Sequence, residues 1–303
     1  MASQNIGTLS LIKATTPALT LGGLTTRGVN PNIQQWVLAS DGDVDPTYSA
    51  VAAAAPGITF TTTDLKAFLD ACGIAGCQIA ALDTYFQQIA PYGTRKASTD
   101  HLKLSFADGM MVPRQITAGQ GQPARLAAEI FGISSDDTCP LAKAASQSLP
   151  AGGGTDVLWT LGKATINGTD LVGIQNMTID FGLQVQLETS DGDVFPSLVY
   201  IMARRPTIRL TTRDSLILNT LGVTGLAQSA TDSIFYLRKA DKGATRVADA
   251  TAEHIAIAID DGRIQAEAIN DGEGQQIGTD ILVTPTSDGE NAIMAVSTTS
   301  AIT

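Results

Sequence analysis

One stretch of this chain is written twice. Ser40-Asp41-Gly42-Asp43-Val44, followed by Pro46, returns 150 residues later as Ser190-Asp191-Gly192-Asp193-Val194, followed by Pro196. At the same offset Leu11, Lys13, Ala14 and Thr15 return as Leu161, Lys163, Ala164 and Thr165. Pro56, Ile58, Thr61, Thr62 and Asp64 return as Pro206, Ile208, Thr211, Thr212 and Asp214. Without a gap, 19 of the 54 positions from 11 to 64 are identical to their partners, a density that marks an internal repeat. The match continues with small slips. Asp83 and Phe86 align with Asp232 and Phe235 at offset 149. His101, Asp108, Gly109, Ile116 and Gly119 align with His254, Asp261, Gly262, Ile269 and Gly272 at offset 153, so both histidines of the chain fall at equivalent positions. The expected organisation is two tandem copies, residues 1–149 and 156–303, joined by a linker at 150–155 whose three consecutive glycines give it flexible chemistry.

Each copy reads as β-structure with one short helix. Residues 177–188 alternate without error: Met177, Ile179, Phe181, Leu183, Val185 and Leu187 share one face. Thr178, Asp180, Gln184, Gln186 and Glu188 share the other, the pattern of one long half-buried strand. Its counterpart, 29–38, keeps Val29, Ile33 and Val37 on the apolar face but carries Pro31 and Gln35. The Ser-Asp-Gly-Asp sequence that follows has turn chemistry. Residues 254–269 read as a hairpin around Asp260-Asp261-Gly262. Helices are expected at 64–72 and 214–221, with Thr62 or Thr63 and Thr212 as N-caps and Gly73 and Gly222 as stops.

No catalytic or metal constellation emerges. His101 and His254 open strands in symmetric positions with no Ser or Cys pattern beside them, so they are read as inherited structural or surface residues. Asp41, Asp43 and Asp45 imitate the start of a calcium loop, but Pro46 occupies the glycine position, no Glu follows at position twelve, and Phe195 replaces Asp45 in the second copy. Gly119-x-Gly121 and Gly272-x-Gly274 lack the strand–helix context of a dinucleotide site and read as turns. Cys72, Cys77 and Cys139 form no CxxC and suggest neither a disulfide framework nor zinc; they read as buried fillers. The expectation is no enzyme, no catalytic residue, no metal and no cofactor.

Charge narrows the classes further. The 303 residues hold 19 Lys+Arg against 30 Asp+Glu, a net charge of −11 that argues against gripping nucleic acid by its phosphates. Charged residues are only 16%, which suits a surface covered by neighbours. The start has no basic segment followed by an unbroken apolar run, and no stretch is long enough to span a membrane, so a chain made in the cytoplasm is expected. Residues 1–150 carry 9 Lys+Arg and 11 Asp+Glu, whereas the remainder carries 10 and 19, so the acidity sits in the second copy. If the polar side of 177–188 lines a closed channel, Asp180 and Glu188 would repel a polyanion from its wall.

Residues 178–196, T-I-D-F-G-L-Q-V-Q-L-E-T-S-D-G-D-V-F-P, the following P-T-I-R-L-T-T-R-D and a short segment ending in L-G resemble tail tube proteins of long-tailed bacteriophages. The resemblance implies two tandem β-sandwich domains, each flanked by a short helix. It implies homotrimeric, pseudo-sixfold rings that stack into a tube in the virion tail, with an acidic lumen for the genome. The implied partners are the chain itself, the tape measure protein and DNA transiently in the lumen, and other tail proteins at the tube ends. Thr178, Asp180, Gln184, Gln186 and Glu188 become the lumen-facing candidates, with Ile179, Phe181, Leu183, Val185 and Leu187 in the core. Two alternatives stay open: a distal tail or baseplate adaptor ring, and a soluble duplicated β-sandwich binding module. The module is disfavoured by an aromatic content of 5% and by Trp36 and Trp159 not being repeat-equivalent.

Overall fold

The computed structural model describes residues 6–40, 42–90, 99–151, 157–213, 228–270, 278–287, 289 and 292–303. Alternating apolar and polar residues build strands almost throughout. The first half runs β1 (Ile6–Thr16), β2 (Leu19–Leu21), β3 (Leu24–Asn30), β4 (Ile33–Leu38), β5 (Tyr48–Ala54), β6 (Gly57–Thr62), α1 (Leu65–Cys72), β7 (Cys77–Ile89), β8 (His101–Gly119), β9 (Arg125–Gly132) and β10 (Leu141–Gln147). The second runs β11 (Val157–Ile166), β12 (Thr169–Leu171), β13 (Ile174–Asp180), β14 (Leu183–Glu188), β15 (Leu198–Arg204), β16 (Thr207–Thr212), β17 (Gln228–Ser229), β18 (Ser233–Asp241), β19 (His254–Ile259), β20 (Gly262–Asn270), β21 (Gly278–Pro285) and β22 (Ala295–Ser300). The protein is mainly β, with one short helix among the described residues.

The pairings of the two halves run in step. β1 pairs with β2 and β7 as β11 pairs with β12 and β18. β3 pairs with β6, and β6 with β9, as β13 pairs with β16, and β16 with β21. β4–β5 and β14–β15 are separate two-stranded hairpins. The long β8 bridges two groups of strands within one 13-stranded sheet: its first part pairs with β7 and β10, its last part with β9. In the second half those jobs are divided, β19 joining β18 and β22 while β20 joins β21. One further ladder, β8 with β13, joins the halves, so four strands of each form a continuous arc in the order β3-β6-β9-β8-β13-β16-β21-β20.

The core lies behind one face of this arc. Ile58 and Phe60 of β6, Ile116 of β8, Ile179 of β13 and Ile208 of β16 are all at most 2% exposed and belong to one continuous apolar cluster. α1 covers the first-half end. Its Leu65, Phe68, Leu69 and Cys72 are buried, spaced as one helical stripe, and the Phe68 and Phe60 rings lie 6.5 Å apart.

Several sequence expectations need correction. Residues 177–188 do not form one strand: β13 ends at Asp180, β14 begins at Leu183, and the two lie in different sheets. Gly182, at φ +56°, turns the chain, and the Asp180 carboxylate accepts its N–H at 2.8 Å. Asn32, at φ 45°, makes the matching break between β3 and β4. Residues 254–269 are not a hairpin, because β19 and β20 pair with other strands and not with each other. The Asp261–Gly262 step moves the chain from the 5-stranded to the 13-stranded sheet, and Asp108–Gly109 is its counterpart inside β8; in both, the Asp carboxylate accepts the following glycine N–H at 2.7 Å. The offset of 149 for Asp83 and Phe86 also fails. Ala14 faces Leu82 while Ala164 faces Phe235, so Phe235 matches Leu82, and the Asp and Phe identities there are coincidental.

Helix α1 starts one residue later than expected. Asp64 occupies the N-cap position, while Thr62 Oγ1 accepts the Asp64 N–H at 3.0 Å and donates to Gly22 O at 2.7 Å. Gly73 ends the helix, its N–H bonded to Leu69 O at 2.9 Å. Cys72 and Cys77 form a disulfide closing the short loop from α1 to β7, and Cys139 is exposed, so none of the three is a simple buried filler. The helix expected at 214–221, the turn at Gly272 and Gly274, and most of the linker lie outside the described residues.

Candidate assembly interface

The arc has one buried face, one open face and two uneven edges. In its middle, β13 is paired on both sides: Thr178 stands opposite Arg209 of β16 and Thr117 of β8, and Ile179 opposite Ile208 and Ile116. β3 holds the same place in the first half, yet among the described residues it pairs only with β6. β20 holds the place of the last part of β8. It pairs with β21, and along its other edge, among the described residues, only Arg263 and Ile264 meet a strand, the two-residue β17. Each end of the arc is thus the counterpart of a strand that is fully paired in the middle. Such unpaired N–H and C=O rows are what a further strand recognises.

Arg114 secures the central joint. Its backbone carbonyl accepts the Phe181 N–H at 3.0 Å, Nη1 donates to Leu183 O at 2.6 Å, and Nε and Nη2 both donate to Glu129 Oε2, at 3.0 and 2.6 Å. The guanidinium also lies 5.6 Å from the centre of the Phe131 ring. One side chain therefore ties β8 and β9 to the β13–β14 bend.

The open face carries the residues that alternate with the core. Thr178 and Asp180 are half-buried on it, while Met177, Ile179, Phe181 and Leu183 are buried on the opposite side. Gln184, Gln186 and Glu188 are exposed on β14, with Val185 and Leu187 half-buried; the bend puts all five on the hairpin instead of the arc. The Tyr200 hydroxyl donates to the Glu188 carboxylate at 2.5 Å, and this bond holds the phenol above its ordinary pKa. The face is not acidic. Arg114, Arg125, Arg209 and Arg263 stand against Glu129, Asp180, Glu267 and Asp280, with Arg114 paired to Glu129 and Arg209 to Glu267 at 3.2 Å. The sequence located the acidic excess but could not show that cross-strand arginines offset it.

His101 and His254 are buried at the starts of β8 and β19. Nδ1 of His101 accepts the Gln88 N–H and Nδ1 of His254 the Lys239 N–H, both at 3.1 Å. His254 Nε2 lies 3.0 Å from Ala248 O and donates to it, because the ring proton sits on the nitrogen that does not accept. Both rings fill the same structural role: they satisfy a neighbouring strand. Among the described residues no three His, Cys, Asp or Glu side chains gather to hold a metal. Among the same residues no helix is long and apolar enough to cross a membrane.

Asp64 lines a cleft between α1 and the strands β11, β18 and β22. Burial pushes its carboxyl above the ordinary value, partly opposed by the Gly22 N–H at 3.4 Å. A raised folded-state pKa means that the folded chain holds the proton longer, so this group's contribution is lost as pH rises through that value. Asp64→Asn is expected to raise Tm at pH 7, with the gain shrinking to nothing below the ordinary carboxylate range. Thermal melts from pH 3 to 8 check this, and a gain that is the same at every pH would contradict it.

No family model matches this chain, and a search of curated proteins found no match.

Proposed function

We propose that the chain is a structural protein of a bacteriophage virion, forming stacked rings of a tail tube through which the genome passes. In this reading residues 1–149 and 156–303 are two copies of one β-sandwich domain, and three chains close a pseudo-sixfold ring. The observation that carries it is the β8–β13 ladder, which joins the halves through strands whose counterparts, β20 and β3, lie at the open ends of the arc. Repeating that step between chains is a heterologous contact, which closes a ring when its rotation closes. Closure also removes the exposed edges. Three chains is the number that the likeness to tail tube sequences supplies.

The open face of the arc becomes the channel wall. Paired arginines and carboxylates, with Thr117, Thr178 and Thr207 between them, offer a polyanion no uncompensated row of positive charge to stick to. The role is mechanical and electrostatic: the protein holds a lumen open around DNA and the tape measure protein, performs no chemistry and needs no cofactor.

Electron microscopy of the purified protein tests this. Closed three-chain rings are expected, stacking at high concentration, with Thr117 and Arg209 facing the channel. Monomers at every concentration and in the native particle would overturn the reading. Rings that never stack would favour a tail-tip adaptor.

A further inference from the structure

The Ser-Asp-Gly-Asp turn is built twice and covered once. Asp43 N–H bonds to Ser40 O at 3.0 Å and Asp193 N–H to Ser190 O at 2.9 Å, with Gly42 at φ +92° and Gly192 at φ +85°. In the second half the turn is captured by the first. Asp137 Oδ1, in the loop between β9 and β10, accepts the N–H groups of Val194 and Phe195 at 2.7 and 3.1 Å. Ala54 N–H donates to Val194 O at 2.8 Å and Ser134 N–H to Pro196 O at 2.9 Å. Among the described residues the first-half counterpart makes none of these bonds. The N–H groups of Val44 and Asp45 meet no acceptor among the described residues, and Val44 is 97% exposed. The hairpin behind it is bare as well: Ile33, Trp36, Val37 and Tyr48 are each more than half exposed.

We propose that the turn at 42–47 is a clasp closed between chains, docking on the second half of another copy at Arg204 and at Ser287, where the loop after β21 begins. Those are the places equivalent to Ala54 and Ser134, whose N–H groups hold the second-half turn. The offset of 153 holds on both sides of that loop, since Ile133 N–H bonds to Asp108 O as Thr286 N–H bonds to Asp261 O, each at 3.2 Å, and Gln147 faces His101 as Ser300 faces His254. The second copy is the occupant because of continuity. β13 leads into the captured hairpin and pairs with β8 of the half that captures it. β3 leads into the bare hairpin, and seating β3 on β20 of another chain delivers Val44 to that chain's loop.

The inference rests on the ring reading for the pairing of β3 with β20, so the test separates the two. A photo-crosslinking p-benzoylphenylalanine is placed at Val44 in the full chain, and at Val194 in a second preparation. After assembly and trypsin, position 44 is expected to give a between-chain adduct with the peptide 264–303. Position 194 is expected to give a within-chain adduct with 126–143. Dilution to monomers should lower the first yield at least tenfold and leave the second unchanged. Rings whose position 44 crosslinks elsewhere, within its own chain or not at all overturn the clasp and leave the ring standing. A chain that never assembles overturns both.

Discussion

A proline at Gly28 or at Val29 is expected to separate assembly from folding. These are adjacent residues of β3, so their N–H groups point to opposite sides of the strand, one toward β6 and one toward the open edge. Proline lacks the donor, and on an edge strand it is tolerated only where that donor faces away from the sheet. The variant with the proline donor position on the outer side should keep the Tm and circular dichroism of the parent. The other should lose a β3–β6 bond and on the order of 1–3 kcal/mol of stability. With chains joined through β3 as proposed, an incoming strand would meet a missing donor and a proline ring in the outward variant, and sedimentation should show monomers under conditions where the parent assembles. Normal rings from both variants would mean that β3 is not the joint.

The parts of this fold legible in the sequence are those written locally or written twice. The turns at 40–43 and 190–193 have their chemistry in four residues, and the histidines could be equated because both halves keep them. What the sequence hid is long-range. Asp261-Gly262 looks like a hairpin turn, yet the chain crosses between sheets there, and nothing local distinguishes a glycine that turns back from one that moves on. At Gly109 the reason for glycine is a neighbour, since a Cβ would strike Phe131 O across the ladder. Cys72 and Cys77 looked unrelated because only the packing of α1 against the start of β7 brings them together. The acidic excess was a sum over composition. That it is offset on the open face of the arc required register, which puts Arg209 within reach of Glu267 and Arg114 within reach of Glu129. The break at 181–182 was invisible for a different reason: Phe181 and Leu183 continue the alternation, so period two passes through the bend without a fault.

That bend makes Gly182→Ala the most damaging small substitution expected in the chain. Gly182 has φ +56°, where a side chain is strained by about 1–3 kcal/mol. A Cβ there would also collide with the carbonyl and Cα of Arg205, whose N–H bonds to Gly182 O at 3.0 Å. The two effects are separable with asparagine. Asn32 occupies the equivalent position at φ 45°, where its Nδ2 donates to Ala55 O at 2.9 Å and the matching backbone bond is longer, 3.4 Å. If conformation alone demanded glycine, Gly182→Asn would restore most of the stability lost in Gly182→Ala. The tighter contact with Arg205 predicts that it does not, and that both variants lose at least about 2 kcal/mol in urea melts. The loss should reach the joint between the halves, because the bend sets Phe181 N–H on Arg114 O and aims the β14–β15 hairpin at Asp137. Hydrogen exchange should therefore speed up at Val194 and Phe195 in both variants, more than at His254 on the far sheet. Full rescue by asparagine, or exchange confined to residues 181–183, would show that the bend is a local turn and not the element that holds the two halves in register.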